Sequence, residues 1–200
     1  MVCNSKPLSL QRNLETLTHK FPDNNSTKPG PKHYGFLLPR AFSVLDVFGP
    51  LEILQALSRQ TTLQLSLLSR TLEPATTEPV STAMNQFNSS FFPTVVPTHT
   101  YADDPPIDVL VIPGGMAARS PDLGPEIAYI KKVFPRLEYL ITICTGAGIA
   151  AQAGVLDGRR ATTNKAAWAT ITAMGKEVKW WVLRSICPPS SVSASGCVTM

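Results

Sequence analysis

From Tyr34 onward, short apolar runs alternate with amphipathic stretches. Tyr34-Gly35-Phe36-Leu37-Leu38, stopped by Pro39, suits a buried parallel strand. Val44 to Pro50 leads into a predicted helix with Pro50 at its first position and Leu51, Leu54 and Leu57 on one face. Thr61 to Leu68 alternates polar and apolar positions, as an outer or half-covered strand does. Thr71 to Thr100 is rich in Pro, Ser and Thr and predicts loops with one or two short strands. Ile107 to Ile112 is a second buried-strand run, left through Pro113-Gly114-Gly115. Gly124-Pro125 opens a helix with Ile127, Ile130 and Phe134 on one face, ended by Pro135. Leu140 to Ile143 then reads as a strand, Thr145 to Gly154 as a closely packing small-residue helix, and Leu156-Asp157-Gly158 as a turn. A short strand at Arg159 to Thr162, a helix around Ala166 to Met174 with Trp168 and Ile171 inward, and a strand at Glu177 to Val182 complete the pattern. Strands alternating with helices imply a mostly parallel sheet covered on both faces.

In such sheets a site forms beyond the carboxyl ends of the strands, and three candidate groups are predicted to converge there. Cys144 stands where a strand turns sharply into a helix. A thiol so placed faces unpaired N–H groups and the positive end of the helix dipole, which favour the nucleophilic thiolate. Gly114 and Gly115 can adopt backbone conformations closed to other residues and turn N–H groups toward the sheet edge. Asp46 is an acid in an apolar setting just before a helix. Taken singly, each has a plainer reading: an inert buried thiol, an ordinary turn, a helix-capping carboxylate. Their combination is what points to chemistry.

Three blocks carry a family resemblance: SVLDVFGPLEIL (Ser43 to Leu54), DVLVIPGG (Asp108 to Gly115) and ICTGAGIAAQAGVLDGRRATT (Ile143 to Thr163). In this order they resemble the ThiJ/PfpI family of the class I glutamine amidotransferase-like superfamily, in particular its isonitrile hydratase-like branch. The match is anchored from about His33 to about Trp180. It implies a flavodoxin-like three-layer α/β/α sandwich with a mostly parallel sheet and a cysteine nucleophile elbow. It also implies a cofactor-free and metal-free hydro-lyase that adds water to an isonitrile to give an N-substituted formamide. Cys144, Asp46 and Thr145 occupy the catalytic motif positions. Gly114, Gly115 and Thr145 would bind substrate, with the Gly115 and Thr145 N–H groups as oxyanion donors.

One departure stands out. Many relatives carry His after the Arg-Ala-Thr-Thr run, where this chain has Asn164-Lys165. Asn hydrogen-bonds but takes up no proton, which puts a proton relay at that position, and the partner of Cys144, in doubt. No His follows Cys144, so a Cys-His dyad could draw only on His19, His33 or His99. Peptidase and glutaminase chemistry are thereby disfavoured. Two alternatives to the hydratase stay open. One is glyoxalase-like action on 2-oxoaldehydes, and the other is a non-catalytic thiol or ligand sensor in which Cys144 stops at the reversible sulfenic state.

Composition narrows the classes. The chain is 44% hydrophobic and 16% charged, ordinary for one soluble domain of 200 residues. The net charge of +4 is mostly a tail property: residues 1–32 hold five Lys and Arg against two Asp and Glu, leaving 13 against 12 elsewhere. No basic stripe argues for nucleic acid, and no apolar run approaches a membrane span of about 18 residues. Four cysteines without a C-x-x-C pair suggest neither a disulfide framework nor a zinc site. A reducing, cytoplasmic location and a small electrophilic substrate are expected. Residues 1–32 read as a disordered arm, residues 33–182 as an incomplete domain of the family, and residues 183–200, with Pro188-Pro189, as a divergent irregular tail. The C-terminus looks truncated, which would leave an apolar sheet face uncovered. A homodimer or broader self-association, poor solubility and weak activity are therefore expected.

Overall fold

The computed structural model describes residues 30–182 and the backbone of Cys197–Thr199. Residues 1–29 of the arm and residues 183–196 and 200 of the tail lie outside the described residues. Strand β1 (His33–Leu37) is followed by α1 (Val44–Leu57), β2 (Gln64–Ser69), the short strands β3 (Ala75–Thr76), β4 (Thr94–Val95) and β5 (His99–Thr100), then β6 (Val109–Ile112). After these come α2 (Gly124–Val133), β7 (Tyr139–Thr142), α3 (Gly146–Gln152), β8 (Arg160–Ala161), α4 (Trp168–Thr172), β9 (Lys179–Trp180) and β10 (Cys197–Thr199). Six strands form one sheet in the order β10-β7-β6-β1-β2-β5, and every neighbouring pair is parallel. The architecture is the expected flavodoxin-like α/β sandwich.

Period-two alternation assigns the two faces. Tyr34, Phe36, Val109, Val111 and Ile141 point to the side where α1 packs through Val47, Leu51 and Leu54. Leu37, Leu110, Ile112 and Leu140 point to the other side and meet Tyr129, Ile130 and Val133 of α2, Ile149 of α3 and Ile171 of α4. Burying each such aliphatic or aromatic side chain contributes about 1.5–3 kcal/mol, so these two clusters are what hold the sheet between its layers. The chain steps from β1 outward to β2 and later returns to β6 on the other side of β1. The switch point therefore lies between β1 and β6, beside the start of α1 with Asp46 and the loop that carries the glycine pair.

An ion pair with one buried partner ties the carboxyl end of β2 to α2. Glu126 is fully buried, and Arg70 grips it in a fork, Nε to Oε1 at 2.8 Å and Nη2 to Oε2 at 2.7 Å. The Tyr101 hydroxyl donates to Oε1 at 3.2 Å, and Arg70 also reaches Asp122 at 2.6 Å.

Several sequence expectations shift. Helix α1 starts at Val44 rather than at Pro50, so Asp46 lies in its first turn and Pro50 in its interior. The apolar residues preceding Pro50 keep the helix going, and the proline leaves the Asp46 carbonyl without its i+4 donor. Of the expected inward face, Leu51 and Leu54 are partly buried and Leu57 is exposed; Val47 is the buried anchor. His99, read as a loop residue, lies in β5 at the sheet edge. The strand expected over Glu177 to Val182 shrinks to β9, which pairs with β8 apart from the main sheet. Cys197–Thr199, within the tail read as irregular, pairs with β7 as an edge strand.

Candidate active site

Cys144 is built by a turn that the strand forces on the chain. Ile143 extends the β7 ladder by donating to the Ile112 carbonyl at 3.0 Å, and its own carbonyl accepts from Gly146 N–H at 2.9 Å. Cys144 and Thr145 are the central residues of that turn, and Cys144 sits at φ 55°, a left-handed conformation that costs a residue with Cβ about 1–2 kcal/mol. Gly146 is required because a Cβ there would stand 2.3 Å from the Ile112 carbonyl oxygen. Helix α3 is thereby seated directly on the end of β6. It spans seven residues, not the expected ten. Cys144 is part-buried and free.

The loop after β6 closes onto the elbow. Gly114 lies so tight that a Cβ would meet the Thr145 nitrogen at 2.6 Å and the Cys144 Cβ at 2.8 Å. Its N–H donates to Asp46 Oδ2 at 2.8 Å, and its carbonyl accepts from Ser43 N–H at 2.9 Å. Gly115, at φ 110°, forms an antiparallel bridge with Phe42, and Ala41 beside it has φ 65°. Backbone strain in Ala41 and Cys144 thus gathers at one end of the sheet, as it does at functional sites. Asp46 and Cys144 are brought together across a single residue, Gly114.

Thr145 is nearly buried, and its hydroxyl is committed twice to one neighbour. Its Oγ1 accepts from Gly115 N–H at 2.9 Å and donates to the Gly115 carbonyl at 2.8 Å. The Gly115 N–H expected to face an oxyanion is therefore turned onto this hydroxyl, because threonine after the cysteine offers an acceptor within reach. The Gly114 N–H is likewise held by Asp46. Among the described residues the Thr145 N–H makes no hydrogen bond, and it is the donor left for a ligand.

A third segment reaches the elbow from the loop after β8. Thr163 Oγ1 donates to the Cys144 carbonyl at 3.0 Å, and Asn164 Nδ2 donates to Cys144 Sγ at 3.3 Å. Sequence reasoning flagged Asn164 only as a departure from the family pattern, and it missed Thr163 and Ala41 altogether. The polar Thr-Thr-Asn triplet after a two-residue strand was the available signal. No described histidine lies beside Cys144. His33 opens β1 at the opposite end of the sheet, where its Nε2 meets Ser66 Oγ at 2.8 Å and desolvation lowers its pKa against a raising effect of Asp108. His99 lies in β5, four strand spacings or about 19 Å across the sheet from β7. His19, Cys3 and Cys187 fall outside the described residues. Among the described residues, no group of three or more His, Cys, Asp and Glu is placed to hold a metal ion, and no helix is long and apolar enough to cross a membrane.

A thiol on a strained elbow, a carboxyl in the first turn of α1 and a backbone donor between them can add a nucleophile and a proton to one small electrophile. Several proteins resemble this chain in sequence or in fold. Isonitrile hydratase of Pseudomonas putida is 33% identical over 132 residues, which are 65% of this chain and 51% of that protein. The chain thus spans about half the length of this curated relative. An uncharacterized protein in the cpoL 5' region of Streptomyces lividans is 31% identical over 138 residues, 68% of this chain and 89% of that one. The crystal structure of a ThiJ/PfpI family protein from Pseudomonas syringae superposes with a TM-score of 0.60 at 21% identity, covering 94% of this chain and 69% of that one. The model of the DJ-1/PfpI family matches residues 35–183, a span that holds the elbow, the glycine pair and Asp46 together, and the chain belongs to that family.

Proposed function

We propose that the chain is a cysteine-dependent hydro-lyase of the isonitrile hydratase type. The observation that carries this reading is the placement of the Asp46 carboxyl and Cys144 on two sides of Gly114. The likeness to isonitrile hydratase supports it. Asp46 Oδ2 is anchored by the Gly114 N–H, and Oδ1 has no hydrogen-bond partner among the described residues. That oxygen delivers a proton to the terminal carbon of the isonitrile while the Cys144 sulfur bonds to the same carbon, giving an S-linked thioformimidate. Water then adds to this carbon. One of its protons returns to Asp46 and the other ends on the substrate nitrogen, the C–S bond breaks, and an N-substituted formamide leaves with the thiolate restored. Thr145 N–H steadies the charge that builds during water addition.

Incubating the purified protein with a small alkyl isonitrile should yield the formamide. Cys144→Ala and Asp46→Asn should each lower turnover by at least about 10²-fold, the scale of losing a positioned acid or a nucleophile. Asn keeps the acceptor for Gly114 N–H, so the melting temperature of Asp46→Asn should stay within about 2 °C, a shift worth less than 1 kcal/mol in a chain of this size. Absence of formamide from the native protein, or turnover retained in Cys144→Ala, would rule the reading out. Methylglyoxal in a parallel assay distinguishes the glyoxalase alternative.

We also infer that the chain self-associates. Helix α1 presents Leu45 and Ile53 to solvent at 76% and 72% exposure, and Phe48 of α1 and Leu65 of β2 are exposed as well. Light scattering should detect oligomers that Ile53→Glu reduces, and a monodisperse native monomer would contradict this.

A further inference from the structure

We propose that Asn164 is a positioning residue that holds Cys144 Sγ as an anion through a fixed N–H bond, in place of a base that would take its proton. The inference rests on the reading of Cys144 as the nucleophile. An amide side chain can present either end, and the surrounding bonds decide which. Asn164 Oδ1 accepts from Ala166 N–H at 2.8 Å and from Ala167 N–H at 3.2 Å, capping the turn that enters α4. With its oxygen committed to two donors, only the NH₂ end can point at the sulfur, and Nδ2 stands 3.3 Å from Sγ. Thr163 fixes the other end of the same residue by binding the Cys144 carbonyl at 3.0 Å. Two consecutive side chains therefore clamp the strained cysteine, one by its backbone and one by its sulfur.

The chemical consequence is specific. The Asn amide is a donor that neither gains nor loses a proton near neutral pH. A hydrogen bond from it is stronger to a thiolate than to a thiol, so it favours the anion without serving as a proton store. The proton transfers of the reaction then fall to Asp46 and not to Asn164. Lys165 next to it is exposed, and Asp46 is the carboxylate brought to this end of the sheet by the Gly114 loop.

The test separates the donor from the cap. Asn164→Asp keeps an oxygen that caps the turn equally well and replaces the N–H donor by a negative oxygen facing the sulfur. Asn164→Ser keeps a capping oxygen on a side chain too short to reach Sγ. Cys144 alkylation by iodoacetamide at pH 7, followed by mass spectrometry, needs no isonitrile and so stands apart from the hydratase assay. Thiolate ultraviolet absorbance, with Cys144→Ala as the blank, is read on the same samples. Both variants should slow alkylation, Asn164→Asp by about tenfold, equivalent to about 1.4 kcal/mol, and lower the absorbance, with melting temperatures near native. Unchanged alkylation in both would reduce Asn164 to a cap, and slowing that merely tracks loss of fold in both would equally overturn the proposal. If native protein alkylates as expected but no isonitrile is turned over, the positioning role holds and the substrate assignment fails.

Discussion

Replacing Gly146 by Ala should destabilise the protein, although the residue opens a helix and alanine is the better helix former. The gain in helix propensity is at most about 1 kcal/mol, and less at a first-turn position. Against it stands a methyl carbon 2.3 Å from the Ile112 carbonyl oxygen and 2.8 Å from that of Pro113. Carbon and oxygen settle at about 3.3 Å or more, so α3 has to move roughly 1 Å away from the end of β6. Both neighbours are backbone held in the sheet and cannot swing aside. Overpacking costs about 1–3 kcal/mol, and the rigid neighbours put this site at the upper end. The balance is a loss of about 1–2 kcal/mol, which for a chain of this size lowers the melting temperature by roughly 2–8 °C. Gly148, two residues further along and on the side of α3 that meets α4, supplies the control. A Cβ there meets Ile171 Cδ1 at 3.0 Å and Met174 Sδ at 3.1 Å, ends of side chains able to shift, so Gly148→Ala should lie within about 1 kcal/mol of native. Thermal and urea unfolding of both variants decide the matter. A Gly146→Ala protein as stable as the native one would show that the elbow is not seated on β6 in the way described.

Arg70→Met should cost about 3 kcal/mol, at the low end for breaking a buried pair because the Arg70 side chain is 37% exposed, and Arg70→Met with Glu126→Met should recover most of it in urea unfolding. A double variant no better than the single one would refute this account. Asp104, held by Arg136 and then Lys132, has its carboxyl pushed well below the usual range. A depressed folded-state pKa means that its contribution is complete above the unfolded value of about 3.9 and is lost as pH falls through the folded value. Asp104→Asn should therefore flatten the loss of stability below about pH 4, and equal acid sensitivity in both proteins would count against it.

How much was legible in the sequence varied with the length scale of the cause. The central strands were readable because β6 is buried on both sides and shows it as an unbroken apolar run, and because the buried ends of β1 and β7 are short apolar or β-branched runs. The elbow was readable because Cys144 follows such a run and precedes only small residues. Helix α1 was misplaced because Pro50 is a common first residue, and only the packing of Val47 against the sheet reveals that the helix already runs at that point. The commitment of Gly115 N–H to Thr145 was out of reach for a different reason. It depends on two loops from different strands meeting to within an ångström, and no local pattern encodes that distance. Arg70 and Glu126, 56 residues apart, were invisible for the same cause.

The left-handed backbone at Cys144 sets thermal robustness and reactivity against each other. Glycine adopts that conformation freely and asparagine nearly so, whereas cysteine pays about 1–2 kcal/mol to stand there. Any screen that rewards heat resistance without demanding turnover will drift toward Cys144→Gly and discard the thiol. The same asymmetry makes the choice of an inert control matter. Alanine keeps the strained backbone and isolates the loss of sulfur, whereas glycine removes the sulfur and relaxes the turn together, and the two controls will not melt alike.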